Sequence, residues 1–464
     1  MSEIGDALRR ALEADRVLDD PAALEAHRLD YWILAHLRAR QGRLGGGPAC
    51  VVRPQTTAEV ATAVREAQRH KVAVVPYGGG SGVLGGAVPP PGALVIDLGA
   101  MDRLLDLDET SLLARAEAGM MGGDYERAVT ARGYTTGHYP QSIERATLGG
   151  LVATRSAGQF STKYGNIEDL LLGHEVALPS AETVRLSPVP RTSTGPSLRE
   201  LFLGSEGALG IVTEVTLRVF PLPELRALAS LACSNMATGL DVIRRVLRAG
   251  WRPAVLRLYD ATETARTFHE WAPADSCLLL IVCEGPADLV VAEVQAIETA
   301  AGDAPRLGSA PVEHWLEHRN TVPSWDFFLD RELMVDTIEI AATWDRIGRL
   351  YDAVVAALQA VPGMVVASAH SSHSYPQGTN LYVTFVLKPD DFSQAESAYL
   401  RAWSSVMETT LAAGGTIAHH HGIGRLRVPW LERELGGAHP VLRAIKRALD
   451  PAGIMNPGAL LAIK

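Results

Sequence analysis

Over residues 1–44 apolar and charged positions interleave with a helical spacing, broken once at Asp20-Pro21, and Gly45-Gly46-Gly47-Pro48 marks the exit. Residues 49–53 then form a short apolar run of strand length. Thr56-x-x-Glu59 reads as a capping box, followed by Val60, Val64 and Ala67 on one helical face. A second apolar, β-branched run covers 72–76, so strand, helix and strand predict a βαβ unit with parallel strands. Further strand-like runs lie at 93–98, 104–107 and 112–116, with a helix over 123–132. Phe220-Pro221-Leu222-Pro223 reads as a domain boundary. Beyond it, 278–282 and 381–387 read as strands and 237–249, 342–358 and 392–413 as helices, the mixture of an α+β module with an antiparallel sheet. Near the end Val441, Ile445, Ala448 and Leu449 share one helical face, which Asp450-Pro451 stops.

Length and charge narrow the class. The 464 residues are enough for two or three cores, and 47 % hydrophobic with 21 % charged residues is an ordinary globular composition. No apolar stretch reaches the roughly 20 residues of a membrane helix. The N-terminus alternates charges without the apolar core of a secretory signal. A net charge of −10 without a basic block argues against nucleic acid. Cys50, Cys233, Cys277 and Cys283 have neither metal-type spacing nor the density of a disulfide scaffold. Arginine far outnumbers lysine, a coding bias of GC-rich, bacterial genomes. These features together predict a soluble cytoplasmic protein.

Glycine-rich stretches carry the first chemical signal. Gly78, Gly79, Gly80, Ser81, Gly82, Gly85 and Gly86 follow the run at 72–76. Gly80-x-Gly82-x-x-Gly85 matches the dinucleotide fingerprint, but that motif needs a helix directly after it, and Pro89-Pro90-Pro91 forbids one. A plain surface turn and a nest of free backbone N–H groups for phosphate remain. Two more clusters, Thr147-Leu148-Gly149-Gly150 and Gly204-Ser205-Glu206-Gly207, suggest main chain brought close to a large ligand at several points.

Taken in order, residues 76–82, 137–142, 147–150, 152–155, 164–169, 193–196 and 204–207, with Trp344-Asp345-Arg346 and His419-His420-His421-Gly422-Ile423-Gly424, resemble the vanillyl-alcohol-oxidase/PCMH-type FAD-binding family. Within that family the resemblance is to the alkyldihydroxyacetonephosphate synthase branch, and the chain is similar also to the FAD-dependent D-2-hydroxyacid dehydrogenases. The resemblance implies an α+β fold: a helical segment at 1–45, a two-subdomain FAD-binding domain at 46–222, a substrate (cap) domain with an antiparallel sheet at 223–435, and a tail at 436–464 that returns to the FAD domain. It implies FAD with its pyrophosphate on Pro76, Tyr77, Gly78, Gly79, Gly80, Ser81 and Gly82. Pro140, Gln141, Ser142, Thr147, Gly150, Thr154, Arg155, Ser156, Ala157, Glu206, Gly210, Ile211 and Asn456 would line the rest. Some relatives attach FAD through a histidine; none stands in 76–82, so non-covalent FAD is expected. Relatives often dimerise, so a homodimer is possible on the same ground.

The resemblance also marks a substrate side. Tyr382, 37 positions before His419, matches the synthases' catalytic tyrosine and would serve as acid or base if its surroundings lower its pKa. The bland reading is an amphipathic strand tyrosine. Strand alternation would place His419 and His421 on one face and His420 on the other, for proton transfer or anion holding; a solvated turn is the alternative. Arg257, between two leucines, matches a functional arginine and could fork onto a carboxylate or phosphate, or be a surface residue of a half-exposed strand. Thr337 aligns with a family serine. Two positions depart from the pattern: Trp325 replaces the synthases' substrate-binding arginine, with Arg319 or Arg331 as possible compensation, and Gln141 replaces an aspartate. The hydroxyacid dehydrogenases hold a divalent ion on two histidines and a glutamate. Here Tyr382 and His420 interrupt that set, so no metal is assigned, although His370, His373 and His420 could make a nitrogen-rich site.

Three functions follow. The first is an FAD-dependent oxidoreductase that takes a hydride from a hydroxyl-bearing carbon of a small anionic or aromatic substrate, its electron acceptor open. The second is a synthase-type transferase in which flavin N5 holds the substrate covalently with no net oxidation. The third is a non-catalytic flavin-binding subunit.

Overall fold

The computed structural model describes residues 2–462, which leaves the last two residues of the 436–464 tail outside the description. The capping box at Thr56 opens helix Thr57–His70, with Val60, Val64 and Ala67 buried. The strands on either side, Cys50–Val52 and Val74–Tyr77, are parallel as expected, but Leu94–Asp97 lies between them and pairs with both. Val17–Leu18 adds an antiparallel edge to Cys50–Val52, so the N-terminal segment is not wholly helical. Five antiparallel strands form a second layer in the order Leu104–Asp108, Leu113–Glu117, Ile211–Arg218, Leu171–Ala177, Thr183–Leu186. One core joins the two sheets, with Val52, Ile96, Val152, Val215 and Leu217 inside it. The tail runs beside Val74, where Asn456 N–H donates to the Val74 carbonyl and Val74 N–H to that of Ile454.

From Leu225 onward the chain builds a six-stranded antiparallel sheet in the order Leu225–Cys233, Cys277–Gly285, Val255–Tyr259, Met364–Ser371, Gly378–Leu387, Met334–Thr343. Helices Met236–Arg248, Ile347–Gln359 and Ala395–Ala412 contribute to the core on one face of it. The helix expected over 342–358 begins only at Ile347. Ala341 and Ala342, helix formers by propensity, finish a strand because Asn380 and Thr379 pair with them. Helix Ile33–Arg40 also joins this second core, through Leu34 and Leu37, although it precedes the first domain in sequence.

Strand alternation decides what faces the other way. Leu256 and Leu258, Ala369, and Leu381, Val383 and Phe385 point into the helix-covered core. Their neighbours Arg257, His370 and Tyr382 line a cavity between the sheet and the glycine-rich domain. No helix among the described residues is long and apolar enough to cross a membrane.

Candidate functional site

The wall from the first domain is main chain. After Val74–Tyr77 the chain passes through Gly78–Gly86 without regular structure, and none of these nine backbone N–H groups donates to a protein acceptor among the described residues. Backbone donors are seldom left unpaired next to a cavity unless a ligand takes them. No helix follows, so the helix-terminated fingerprint is excluded and the nest is the reading that fits. The loop is pressed against 145–147: a Cβ on Gly79 would lie 1.6 Å from the Arg145 carbonyl oxygen, and one on Gly78 2.2 Å from Thr147 Oγ1. Thr147 in turn caps helix Leu148–Thr154 by accepting from Gly150 N–H.

Every residue assigned to the cofactor from the sequence lines this cavity except Arg155. Arg155 ends the helix in a left-handed conformation (φ 52°) that turns its side chain outward to Glu168. Gln141 lines the cavity and donates to the Thr321 carbonyl across the domains. Two buried carboxylates support the same wall, Glu206 lining the cavity and Asp30 behind the loop. Asp30 accepts from the N–H groups of Trp32 and Ala87, and Glu206 from those of Ile423 and Gly424. Burial pushes both up to about 7.

The opposite wall is the sheet. Arg257 donates through Nε to Tyr259 OH at 2.6 Å and through Nη2 to His370 Nε2 at 2.5 Å. Because guanidinium only donates, His370 Nε2 is the acceptor and Nδ1 carries the proton, which it gives to Glu263 Oε2 at 2.7 Å. Burial, then the Arg257 charge, lowers His370 to about 4. No carboxylate lies within ion-pair distance of Arg257 among the described residues. Its guanidinium packs over Tyr259 and Trp315, and the Glu263 carboxylate reaches it only through His370.

Tyr382 lies between His370 (centroids 4.9 Å, 20° between planes) and His420 (5.8 Å, 23°). Its oxygen accepts from Thr337 Oγ1 at 3.0 Å, so Thr337 both lines the cavity and orients the phenol. The expected lowering of its pKa is reversed: burial pushes Tyr382 up to about 12, and the phenol stays a donor.

The histidine triplet is no strand. Residues 419–421 form a bend in which the His420 ring lies beside both of the others, because the backbone is fixed from outside rather than by a ladder. His420 and His421 line the cavity, whereas His419 lies behind them on Tyr375 OH. Glu339 accepts the backbone N–H of His421 at 2.8 Å and faces its Nδ1 at 2.8 Å, while Arg427 donates to both Glu339 oxygens at 2.7 and 2.9 Å. Glu339 and Arg427 are fully buried, and despite burial the Arg427 and His421 charges hold Glu339 well below the carboxylate range. Sequence reading missed Glu339, Arg427, Glu263 and Asp30. The available signal was a lone charge inside an apolar run, as in Ile338-Glu339-Ile340, which demands a partner once buried.

Trp325 closes the mouth. Its Nε1 donates to the Tyr31 carbonyl at 2.9 Å and its ring lies 4.8 Å from that of Tyr31, whose hydroxyl donates to the Pro323 carbonyl. Arg331 stacks on Phe327, and Arg319 lies among Tyr139, Phe160 and Trp315, so neither lines the cavity in place of the missing cation.

A cradle of free main-chain donors opposite a sheet bearing a phenol, imidazoles and an unpaired guanidinium defines a cofactor-dependent two-domain enzyme. The FAD binding domain family matches residues 48–187, and the C-terminal domain of FAD linked oxidases matches 222–460. The chain belongs to the FAD-linked oxidase family, with the PCMH-type fold, and its cofactor is FAD. It is 33% identical over 484 residues to the uncharacterized FAD-linked oxidoreductase YgcU of Escherichia coli K12, across 99% of this chain and 98% of that protein. It is 30% identical over 489 residues to the alkyldihydroxyacetonephosphate synthase of Dictyostelium discoideum, across 96% and 79%. A solved alkyldihydroxyacetonephosphate synthase superposes with a TM-score of 0.81 at 27% identity, over 98% of this chain and 84% of that one.

Gly79→Ala should lower FAD affinity by about 10- to 100-fold, the 1–3 kcal/mol of a forced backbone shift, read as flavin content after gel filtration. Glu206 binds more protons folded than unfolded between its ordinary value of 4.5 and about 7. It therefore stabilises the fold fully below that window and loses the contribution as pH rises through it. Glu206→Gln should accordingly flatten the fall in melting temperature between about pH 5 and pH 8.

Proposed function

We propose that this oxidoreductase removes a hydride from a hydroxyl-bearing carbon of a small anionic or aromatic substrate. The observation that carries the reading is Arg257, locked by Glu263 and His370, facing the cavity without a carboxylate of its own. A substrate carboxylate would supply the missing charge through a forked pair. Bound FAD, held by the 76–86 cradle, supplies the two-electron acceptor. His421 is the base in this scheme. Glu339 Oε2 lies 2.8 Å from Nδ1; a proton turned onto that carboxylate would leave Nε2 free to accept the hydroxyl proton, and the ionised carboxylate would steady the resulting imidazolium, as in a histidine–carboxylate dyad. The Tyr382 phenol donates to the substrate oxygen, and Trp325 with Tyr31 offers an apolar, aromatic mouth. Four buried, unpaired thiols support a reducing, cytoplasmic setting in this reading.

The sequence likeness to the synthases favours a second reading, transfer onto an acyl-dihydroxyacetone phosphate without net oxidation. Trp325 weighs against it, since an indole tied to a carbonyl offers nothing to a phosphate.

Anaerobic mixing with a panel of D-2-hydroxyacids and alcohols should bleach the yellow flavin band, which air then restores. No bleaching by any of them, with a fatty alcohol replacing the acyloxy group of an acyl-dihydroxyacetone phosphate and the fatty acid released instead, would replace the first reading by the second. His421→Asn should slow bleaching by about 10²- to 10⁴-fold with flavin content unchanged. Arg257→Leu should weaken the best hydroxyacid by about 10- to 100-fold, the worth of a charged hydrogen bond. Acid precipitation should leave all flavin in the supernatant, as expected without a covalent link.

A further inference from the structure

Gln159 lies in the link between helices Leu148–Thr154 and Ser161–Tyr164, is 7% exposed and lines the substrate cavity. Arg319, from the substrate domain, donates from Nη1 to its Oε1 at 2.6 Å. A guanidinium only donates, so the carbonyl end of the amide must face Arg319. Nε2 makes one long contact, 3.4 Å, to the Arg319 carbonyl. At least one of its two hydrogens therefore has no protein acceptor among the described residues, on a side chain that faces the cavity.

Arg319 is held in an aromatic cage, its guanidinium carbon 5.1 Å from the Tyr139 ring, 5.2 Å from Phe160 and 5.8 Å from Trp315. The same Trp315 ring lies 5.7 Å from the Arg257 guanidinium, so two cations flank one indole. No carboxylate lies within ion-pair distance of Arg319 among the described residues. Glu284, on the neighbouring strand, is committed to Arg226 Nε at 2.7 Å and Tyr164 OH at 2.6 Å. Burial, with Arg226 and Arg257 as positive neighbours, lowers Arg319 from its ordinary value. Like charges gathered away from water persist where an anion completes the set. A single substrate carboxylate answers Arg257. The Arg319 charge remains, and it reaches the cavity through the Gln159 amide.

We propose that Gln159 is a specificity-determining residue, aimed by Arg319, whose Nε2 donates to a second carboxylate at the far end of the substrate. The guanidinium on Oε1 polarises the amide and strengthens the N–H on its other end, so a neutral side chain delivers part of the buried charge. One amide donor suits one carboxylate oxygen, whereas a phosphate would bring more oxygens than this wall can pair. Gln159 comes from the cofactor domain and Arg257 with Arg319 from the substrate domain, so the two-pronged site is complete only where the domains meet. Recognition of two acid groups rests on Arg257 as the first anchor; that the molecule is also a hydroxy acid rests on the proposed oxidation.

The test titrates oxidised, FAD-loaded enzyme with acids that lack the hydroxyl and cannot react: butanoate against butanedioate, and pentanoate against pentanedioate, followed by the flavin band or by calorimetry. In the wild type a diacid should bind about 10- to 100-fold more tightly than the monoacid of its length, the worth of a charged hydrogen bond. Gln159→Leu should erase that preference. Gln159→Glu, of the same shape and facing a guanidinium, should reverse it, with flavin content reporting the fold. Arg319→Lys should keep most of the preference and Arg319→Leu lose it, in the Kd of the diacid alone; lost packing would weaken both acids together. Equal binding at both lengths, a preference that survives Gln159→Glu, or a phosphono acid that outbinds the diacid of its length would overturn the subsite. So would flavin lost with Gln159→Leu, which would make the amide a cofactor ligand. A diacid preference in a protein that no hydroxyacid bleaches keeps the subsite and sinks the oxidation; bleaching without any diacid preference does the reverse.

Discussion

The bend from His419 to Gly424 has no ladder and no helix, so its geometry depends on two buried carboxylates that reach it from opposite domains. Glu339, on the substrate sheet, accepts the N–H groups of His420 and His421; Glu206, on the cofactor domain, accepts those of Ile423 and Gly424. Buried backbone donors must be paired, and here side chains rather than strands pair them. The bend thereby becomes the stitch between the cofactor cradle and the substrate wall. Its positive-φ glycines follow from the same constraint: a Cβ on Gly422 would lie 2.8 Å from Glu206 Oε1.

The two carboxylates are balanced differently. Glu339 shares a fully buried, two-pronged pair with Arg427, and breaking such a pair from one side costs about 3–5 kcal/mol by leaving a lone charge. That pair also sets the direction of the His421 ring. Glu206 has backbone donors but no ion pair, so burial raises it towards neutrality. One carboxylate thus stays ionised as a counter-ion, and the other behaves as a proton-sensitive clamp. Across the sheet the same logic recurs in Glu263, His370 and Arg257, where a fixed tautomer holds a cation at the cavity with its charge unspent.

Period-two alternation explains why these groups meet at all. Arg257 precedes His370 by 113 positions, yet adjacent strands bring His370 opposite both Tyr259 and Tyr382. The apolar partners of each buy the register: a one-residue slip would drive Leu381, Val383 and Phe385 out of the core.

Local pattern determined a good deal: the capped helix at 57–70, the parallel strands beside it, the proline run that ruled out a helix-terminated nucleotide loop, and the glycine clusters that mark where main chain must come close. These are short-range matters of propensity and sterics, and one stretch of chain suffices to settle them. Only the tertiary structure decided that Arg155 turns away, that Ala342 finishes a strand, that the Tyr382 phenol stays protonated and that His419 stands behind its neighbours. Each of those outcomes depends on desolvation or on a partner distant in sequence, such as Glu339 for the bend or Thr379 for Ala342, and neither burial nor a distant partner is written in the spacing of nearby residues.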